Sequence, residues 1–500
     1  MRNSVLYYLI ESVKRNPSKI SVIDENGQYT YKELNDNAKK VGTFLCDKIS
    51  LREPVIVYGD KSKEVLASFF GILYAGGFYS LVNTELPLTR IESICGTLNN
   101  KYVLVDSKHY EEALEKFKDK EVYLIDDIFK NSSDDEKLNE RLSRVIDVNP
   151  VYVNFTSGST GVPKGVTICN RSIFDFIDVF TNEFNINSDD IIANQAPFDF
   201  DVSVKDIYSA MKVGATLLIV PKAYFSNPSK LLDYLVDNKA TTMIWAVSAL
   251  CLITTFHGLD YKVPETVNKI MFSGEVMPIK HLKQWMDHLP NTMFVNLYGP
   301  TEITCNCTYY IIDRNKEYEH IPIGKAFKNE DVFLLDENDK LIEETNKKGE
   351  LCVRGTAVGL GYYNNPSQTN KAFVQNPLNN LYPELIYRTG DLASLHDDGN
   401  LYFEGRKDFQ IKYMGHRIEL EEIELNINKV DGVERCCCLF DSEKERLYGY
   451  YVGAIDKKDL RLALNKTLPV FMIPTKFVQL DEFPLNKNGK IDRKKLLKGE

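Results

Sequence analysis

A run of small residues in the first third of the chain has the composition of an anion-binding loop. Residues 151–155 are β-formers and lead directly into residues 156–161, which read TSGSTG, followed by Pro163, Lys164 and Gly165. Small side chains leave backbone N–H groups free to face a phosphate. The Walker sequence is excluded because it requires Ser or Thr directly after the lysine. We predict a strand that ends in a phosphate-binding loop, with an ordinary Ser- and Gly-rich turn as the alternative.

Two later segments place polar residues directly after buried strands. Residues 269–272 and 294–297 are predicted strands, and the sequences SGEVMP (273–278) and YGPTE (298–302) follow them. Ligands of open α/β sheets bind at the carboxyl ends of the strands, so we expect both turns to face a ligand. For the second turn the alternative is a plain helix start with Glu302 in its first turn.

The elements that must position these turns alternate between helix and strand. Residues 31–49 and 61–75 show helical periodicity, residues 54–58 read as a strand, and Thr30 is the expected N-cap of the first helix. This alternation predicts parallel sheets covered by helices. The polar residues 131–140 are interpreted as a surface linker.

The composition is that of a globular chain long enough for one large and one small domain, with 500 residues, 43% hydrophobic and 26% charged. No apolar run approaches the roughly 20 residues of a membrane span, and the first ten residues do not form a signal peptide. We therefore expect a cytoplasmic protein without membrane insertion.

A net charge of −10 argues against a nucleic-acid partner, although the mildly basic residues 405–500 suit an acidic partner. The ten cysteines lack zinc spacing, and residues 436–438 should alternate between the faces of a strand as buried, reduced thiols.

Taken in order, the motifs of this chain resemble those of the adenylate-forming superfamily, which includes acyl-CoA synthetases, luciferases and the adenylation domains of peptide synthetases. The resemblance covers essentially the whole chain and is strongest to D-alanine:carrier-protein ligases and stand-alone adenylation domains. The matching sequences are YTYKEL (29–34), YVNFTSGSTGVPKG (152–165), QAPFDFDVSV (195–204), SGEVMP (273–278), NLYGPTEIT (296–304), YRTGD (387–391), GRKDFQIKYMGHRIELEEIE (405–424) and PLNKNGKID (484–492).

The resemblance implies an α/β fold in two parts. Residues 1–404 should form a large N-terminal domain of layered, largely parallel sheets. Within it, the alternating strands between Asp331 and Gly361 predict a small β subdomain that closes the large one. Residues 405–410 should form a hinge centred on Asp408, and residues 411–500 a mobile α+β lid domain. The glutamates of residues 419–424 are interpreted as the solvated face of a helix.

The resemblance also implies ATP and Mg²⁺ as cofactors. Asn296 to Tyr298 should flank adenine, Thr301 should contact the α-phosphate, and Glu302 should hold the metal, since Mg²⁺ prefers carboxylate and phosphate oxygens. Asp391 should accept the ribose hydroxyls, and Arg406 should approach the ribose and phosphates. Lys490, on an exposed Asn-Gly turn, should reach the substrate carboxylate and the α-phosphate. The full nucleotide set is Thr156, Ser157, Gly158, Ser159, Thr160, Gly161, Lys164, Asn296, Leu297, Tyr298, Gly299, Pro300, Thr301, Asp391, Tyr402, Arg406 and Lys490.

A second set of residues should form the substrate pocket. Asp201 matches the residue that binds the substrate ammonium in amino-acid-activating members; the alternatives are that it caps the next helix or pairs with Lys205. A small amino acid is the first expectation and an acidic one the second, because Lys205 needs a negative partner when buried. D-alanine is disfavoured by Lys205 and by Ser273, where D-alanine ligases carry cysteine. The pocket set is Asp201, Val202, Lys205, Ala246, Met271, Ser273, Leu297, Cys305 and Asn306.

The function implied is ATP-dependent formation of an aminoacyl adenylate, followed by transfer to the phosphopantetheine thiol of a discrete carrier protein. A separate carrier is expected because no carrier domain follows Glu500. An acyl-CoA ligase acting on a small carboxylic acid is the alternative enzyme. A non-catalytic nucleotide-binding protein is disfavoured, since Glu302 and Lys490 are both present.

Overall fold

A computed structural model describes residues 3–158, 161–441, 444–484, 491 and 493–498 of the chain. They belong to two compact units. The large unit comprises Met1–Thr84, Asn99–Asn154 and Val166–Lys407, and the small unit comprises Glu85–Leu98, Phe155–Gly165 and Asp408–Glu500. Two segments from the first third of the sequence therefore belong to the small unit.

The strands, numbered in chain order, are β1 Ile20–Asp24, β2 Gly27–Thr30, β3 Pro54–Tyr58, β4 Phe78–Val82, β5 Tyr102–Val105, β6 Glu121–Leu124, β7 Pro150–Thr156, β8 Lys164–Cys169, β9 Ile191–Asn194, β10 Thr216–Ile219, β11 Thr242–Ala246, β12 Lys269–Ser273, β13 Met293–Tyr298, β14 Thr308–Ile311, β15 Lys325–Ala326, β16 Glu330–Leu335, β17 Lys348–Gly355, β18 Gly361–Tyr362, β19 Phe373–Gln375, β20 Leu385–Leu395, β21 Leu401–Arg406, β22 Gln410–Tyr413, β23 His416–Glu419, β24 Val433–Asp441, β25 Arg446–Gly453 and β26 Lys476–Gln479.

The α-helices are α1 Leu6–Arg15, α2 Tyr31–Cys46, α3 Lys63–Tyr74, α4 Leu88–Leu98, α5 Tyr110–Lys116, α6 Ile125–Ile128, α7 Asp135–Ser143, α8 Asn170–Glu183, α9 Val202–Val213, α10 Pro228–Asp237, α11 Val247–Thr255, α12 Gly258–Tyr261, α13 Ile279–His288, α14 Pro366–Ala372, α15 Leu420–Ile427, α16 Lys457–Leu464 and α17 Arg493–Lys498. Among the described residues, no helix has the length and apolar composition needed to cross a lipid bilayer.

Two large sheets dominate the large unit. One has the order β18-β8-β7-β4-β3-β5-β6 and the other the order β15-β14-β13-β12-β11-β9-β10-β1-β2. The central pairs of both sheets are parallel. Every residue of β3, β4 and β5 is buried, which is typical of parallel strands covered on both faces. The predicted α/β class with layered parallel sheets is confirmed.

A third, antiparallel sheet of five strands forms the predicted small β subdomain. Its order is β16-β17-β20-β19, and β21 pairs with β20. The sheet spans residues 330–406, so it extends further along the sequence than the predicted residues 331–361.

The start of α2 confirms Thr30 as an N-cap, because its hydroxyl accepts the Glu33 amide hydrogen and the Glu33 carboxylate accepts the Thr30 N–H. The linker prediction for residues 131–140 is wrong. Asp134 caps α7 by accepting the Lys137 amide hydrogen, and Leu138 is buried in the core. Of the two leucines of this helix, Leu138 and Leu142, only Leu138 falls within residues 131–140, which was too weak a periodic signal to reveal the helix.

The small unit has its own hydrophobic cores, under the sheet β24-β25-β26 and the helix α15. Residues 436–438 lie on β24, and all three thiols are buried. Cys436 and Cys438 belong to one core cluster and Cys437 to another. The predicted alternation of the three thiols is therefore confirmed.

Asp190 ties three parallel strands of the second sheet together. Its carboxylate, 3% exposed, accepts hydrogen bonds from Lys269 Nζ at 2.9 Å, from Thr241 Oγ1 at 2.7 Å and from Thr242 Oγ1 at 2.9 Å. Burial alone would raise the pKa of Asp190, but the Asn187 amide, Lys269 and Thr241 outweigh burial and the pKa lies below its ordinary value.

Asp190→Asn should lower the free energy of unfolding of the large unit by about 3–5 kcal/mol at pH 7, because Lys269 loses its buried partner. The folded-state pKa is lowered, so the stabilisation is complete above the unfolded pKa of about 4 and is lost as the pH falls below it. Urea unfolding followed by tryptophan fluorescence checks this, since Trp245 and Trp285 are both buried in the large unit. A variant whose stability fell with acid as steeply as the parent's would contradict the assignment.

Candidate functional site

The carboxyl ends of three parallel strands lie at one edge of the second sheet. Ala246 of β11 is paired with Ser273 of β12, and Ser273 is paired with Leu297 of β13. Met271 lies two residues inside β12 and is fully buried. Four residues predicted for the substrate pocket therefore lie on neighbouring strands, three of them at the same level. We call Ala246, Met271, Ser273 and Leu297, together with the residues that adjoin them at this edge of the sheet, the strand-end group.

Tyr298, the last residue of β13, connects this edge to Asp391. The Tyr298 hydroxyl donates to one oxygen of the Asp391 carboxylate, and the Arg406 guanidinium donates to the other. Burial, and then the Asp391 charge, raises the pKa of Tyr298 well above its ordinary value, so the phenol stays protonated and remains a donor. A carboxylate has about four lone-pair positions, and these two contacts use one on each oxygen. Asp391 can therefore still accept two hydroxyl groups.

The turn after β13 is built around a close backbone approach. A Cβ on Gly299 would lie 2.4 Å from the Asn306 Cα atom, so only glycine fits. Thr301 is half-buried at the start of a short 3₁₀ turn, and Glu302 is fully buried, where its carboxylate accepts a 2.7 Å hydrogen bond from the Tyr362 hydroxyl. Pro300 precedes this turn as its N-cap residue.

Glu302 fits the role of one Mg²⁺ ligand. Within the described ranges, no three His, Cys, Asp or Glu side chains are grouped as a metal site. Mg²⁺ in nucleotide sites is commonly held by one or two carboxylates, with substrate phosphates and water supplying the other oxygens. The single buried carboxylate of Glu302 suits that arrangement and does not suit a cage made only of protein ligands.

Four further pocket residues are brought together by hydrogen bonds. The Cys305 thiol donates to the Asp201 carbonyl oxygen at 2.9 Å, and Lys205 Nζ donates to Asn306 Oδ1 at 2.6 Å. The Cys307 amide donates to the Tyr298 carbonyl oxygen at 2.9 Å, which places this segment beside the end of β13. The strand-end group therefore includes the N-terminus of α9.

Asp201 and Lys205 differ in their surroundings. Asp201 is half-buried at the N-cap position of α9, yet its side chain makes no capping hydrogen bond, so the capping alternative is wrong. Val202 follows as the first, half-buried residue of the helix. Lys205 is fully buried, and burial lowers its pKa although Cys305 and Asp201 partly oppose the shift. The buried Lys205 amine therefore has a neutral partner, the Asn306 amide, and lies close enough to Asp201 to be affected by its charge.

The sequence did not reveal a second buried polar group near Lys205. Asp206 is fully buried and accepts from Asn194 Nδ2 at 2.7 Å, while Lys61 Nζ donates to Asn194 Oδ1 at 3.0 Å. Burial raises the pKa of Asp206 to about 7 and lowers the pKa of Lys61 to about 7. Lys61, Asn194 and Asp206 belong to no common motif, so the sequence did not predict their contacts. The one usable signal was a charged residue, Asp206, on an otherwise apolar helix face.

The predicted phosphate loop belongs to the small unit. A Cβ on Gly158 would lie 2.2 Å from the Val162 carbonyl oxygen, and the buried Thr156 hydroxyl has no hydrogen-bond partner among the described residues. Gly161 has a φ of +80°, the left-handed conformation that favours glycine. Ser159, Thr160 and Lys490 lie outside the described residues. The close-packed backbone and the spare hydroxyl suit a loop that binds phosphate.

Two acidic residues of the small unit correct the sequence interpretation. Glu419 and Glu422 are buried at 6% and 1% exposure, so they do not form a solvated face. Glu421 alone of the four glutamates is exposed, while Glu424 pairs with Arg493 at 2.8 Å. Glu419 pairs with Lys164 of the loop at 3.2 Å. The spacing of the glutamates along the sequence does not predict these pairs, because the partners are distant in sequence.

The remaining predicted residues have separate partners. The Tyr402 hydroxyl donates to Asp398 at 3.1 Å and its ring stacks on His396, so the structure does not connect it to the Asp391 carboxylate. Asp408 is the exposed first residue of the third segment of the small unit, and its carboxylate accepts from the Gln410 amide at 3.2 Å. Asn296 is buried and donates to the Pro322 carbonyl oxygen.

Comparison with known proteins gives the class of this chain, which is an adenylate-forming enzyme. A family model described as "AMP-binding enzyme" matches residues 9–363. Zwittermicin A synthase ZmaJ of Bacillus cereus is 33% identical over 97% of this chain and 93% of its own length. Bacitracin synthase 1 of Bacillus licheniformis is 33% identical over 99% of this chain, but the chain spans only 9% of that protein.

The solved structures give the same fold. The adenylation domain AlmE of Vibrio cholerae, solved in complex with glycyl-adenosine-5'-phosphate, has a TM-score of 0.86 at 19% identity, and the match covers 100% of this chain and 98% of that one. The chain therefore belongs to the AMP-binding enzymes, a family of adenylate-forming ligases that use ATP.

Lys205→Met should change how stability depends on pH. The folded-state pKa of Lys205 lies below 10.5, so the unfolded chain binds its proton more tightly and the parent gains stability as the pH rises toward that value. The variant should lack this gain, which is about 1.4 kcal/mol for each unit between the two pKa values. Urea unfolding from pH 7 to 10 measures it, with the exposed Lys280→Met as control. Parallel pH profiles for parent and Lys205→Met would refute a buried amine of lowered pKa.

Proposed function

We propose that this enzyme activates an amino acid as its aminoacyl adenylate and transfers the aminoacyl group to the phosphopantetheine thiol of a separate carrier protein. The proposal that the substrate is an amino acid is supported by the position of Asp201. Its carboxylate is half-buried at the strand-end group and is not used to cap α9. A carboxylate in such a position suits a substrate that brings an ammonium group.

The chemistry depends mainly on position and charge. One substrate carboxylate oxygen bonds to the α-phosphorus as the bond to the pyrophosphate oxygen breaks, and no general base is needed because the carboxylate is already ionised. Thr301, the loop donors Thr156, Ser157 and Thr160, and Lys490 would offset the negative charge. Glu302 would hold Mg²⁺, which neutralises phosphate charge when bound. Asp408 would be the position where the small unit changes orientation between the two half-reactions.

A small amino acid is the substrate class that we favour. Lys205 already donates to Asn306 Oδ1 at 2.6 Å, and burial lowers its pKa, so the amine needs no acidic ligand to be accommodated. An acidic amino acid remains the second candidate, since Lys205 has donor capacity beyond this single hydrogen bond.

The carrier protein is the acceptor that we favour over free coenzyme A. One similar structure is described as an NRPS protein containing adenylation and PCP domains, with 24% identity and a TM-score of 0.86. Another neighbour, o-succinylbenzoate CoA synthetase, has 19% identity and a TM-score of 0.84, so the fold alone accommodates both acceptors. Product formation with free coenzyme A and with a phosphopantetheinylated carrier distinguishes them.

Asp201→Asn tests the amino-acid proposal. Pyrophosphate exchange against the twenty L-amino acids and several D-amino acids first identifies the substrate. For that substrate, loss of the charge partner of the ammonium should cost about 3–5 kcal/mol and reduce kcat/KM by two to four decades. A des-amino analogue should be unaffected. Asp199→Asn, two residues earlier, is the matched control, and unchanged selectivity in Asp201→Asn would refute the proposal.

Asp391→Asn tests the nucleotide site separately. If Asp391 accepts a ribose hydroxyl, its loss as a charged acceptor should raise KM for ATP by about 10–100-fold. The preference for ATP over 2'-deoxy-ATP should shrink in the same variant. Asp397→Asn, six residues later, is the control. If the variant kept the parent's preference between the two nucleotides, the ribose role would be wrong.

A further inference from the structure

Two carboxylates of the small unit occupy hydrogen-bond donors of the predicted phosphate loop. Glu422 Oε2 accepts the Gly158 backbone N–H at 3.0 Å, and Glu419 Oε1 accepts from Lys164 Nζ at 3.2 Å. A backbone amide and a lysine ammonium are the groups that bind phosphate in loops of this kind. In this structure, both donors already bind an anion.

The Ser157 hydroxyl is also engaged. It donates to the Arg417 carbonyl oxygen at 2.8 Å and accepts the Glu419 backbone N–H at 3.1 Å. Both hydrogen bonds are made with the strand β23 that precedes α15. The segment 417–422 therefore uses an amide, a hydroxyl and an ammonium of the loop at once.

Arg90 of α4 holds Glu422 in place. Its guanidinium donates to Glu422 Oε1, while Oε2 binds the loop, so each oxygen of this carboxylate has one donor. The Glu422 side chain is 1% exposed and that of Arg90 9% exposed. A buried carboxylate loses most of its hydration, and its attraction to these donors is screened only weakly by solvent.

We propose that Glu419 and Glu422 form an anionic latch that competes with nucleotide phosphate for the loop, so that ATP binds only when both carboxylates release it. Arg90 is the positioning residue that aims Glu422 at the Gly158 amide. The inference rests on the proposed role of residues 156–165 in binding phosphate. The apparent affinity for nucleotide equals the intrinsic affinity multiplied by the fraction of molecules in which the loop is released.

Glu422→Gln tests the latch. The variant keeps the size of the side chain but removes its charge, so the latched form weakens and ATP should bind about 3–30-fold more tightly. Isothermal titration of the complete enzyme with ATP and Mg²⁺, in the absence of amino acid, gives Kd. Glu419→Gln should act in the same direction. Glu421→Gln, an exposed glutamate of the same helix, is the matched control and should leave Kd unchanged.

A thermal measurement separates a latch from a merely structural carboxylate. Without nucleotide, Glu422→Gln should lower the Tm of the small unit, and saturating AMP should raise the Tm of the variant more than that of the parent. If Glu422 had only a structural role, the substitution would lower the Tm without nucleotide and the Tm with saturating AMP by the same amount. Equal AMP-induced shifts, or an unchanged or weaker ATP affinity in Glu422→Gln and Glu419→Gln, would overturn the latch.

The two proposals fail in different ways. If the parent and all three variants show no ATP binding, the nucleotide role of the loop fails, and the latch, which rests on it, is rejected with it. If the parent binds ATP and catalyses pyrophosphate exchange while the glutamine variants bind no more tightly, the latch fails and the adenylation proposal stands.

Discussion

The in-register pairing of β11, β12 and β13 is the constraint on which the strand-end group depends. Hydrogen bonds between the parallel strands fix Ala246, Ser273 and Leu297 at one level. The last residue of β13 is Tyr298, which contacts Asp391, and the turn after it places Glu302 against Tyr362. Gly299 lets the backbone of this turn approach Asn306 closely. The sheet supplies rigidity, and the turns supply the polar atoms.

Buried charge is the second organising feature of the molecule. Asp190, Lys205, Asp206 and Glu422 are each almost inaccessible to solvent. Asp190 and Glu422 have cationic partners, whereas Asp206 and Lys205 hydrogen-bond neutral amides, and burial shifts the pKa values of these two towards the neutral form. Paired charges stabilise the fold locally, while those with neutral partners lie beside the proposed substrate site.

Local sequence signals predicted the elements well. Thr30 and Glu33 are three residues apart and form a capping box, and the alternation of Cys436, Cys437 and Cys438 needs only the period of a strand. The strand before the phosphate loop and the turns after β12 and β13 were also visible, because each is a continuous stretch. These features depend on neighbours in the chain.

The errors and omissions at buried charged residues involve partners that are far apart in sequence. Arg90 and Glu422 are separated by 332 positions, and nothing in either local sequence points to the other. The glutamates of residues 419–424 therefore resembled a solvated face, although Glu419 and Glu422 are buried. Lys61 and Asp206 escaped notice for the same reason. Sequence patterns give the period of a helix but not the charge of the surface that covers it.

The composition of the small unit has a consequence for the order of events during synthesis. Glu85–Leu98 and Phe155–Gly165 leave the ribosome long before Asp408–Glu500, yet all three belong to one compact unit. Arg90 and Thr89 have partners in Glu422 and Lys466, and Gly158 shares Glu422. In the nascent chain these early segments, including Arg90 and Lys164, lack their partners until the segment from Asp408 onward has been synthesised. A chain that stopped before Asp408 would leave Arg90 and the Gly158 amide without the Glu422 carboxylate that binds both.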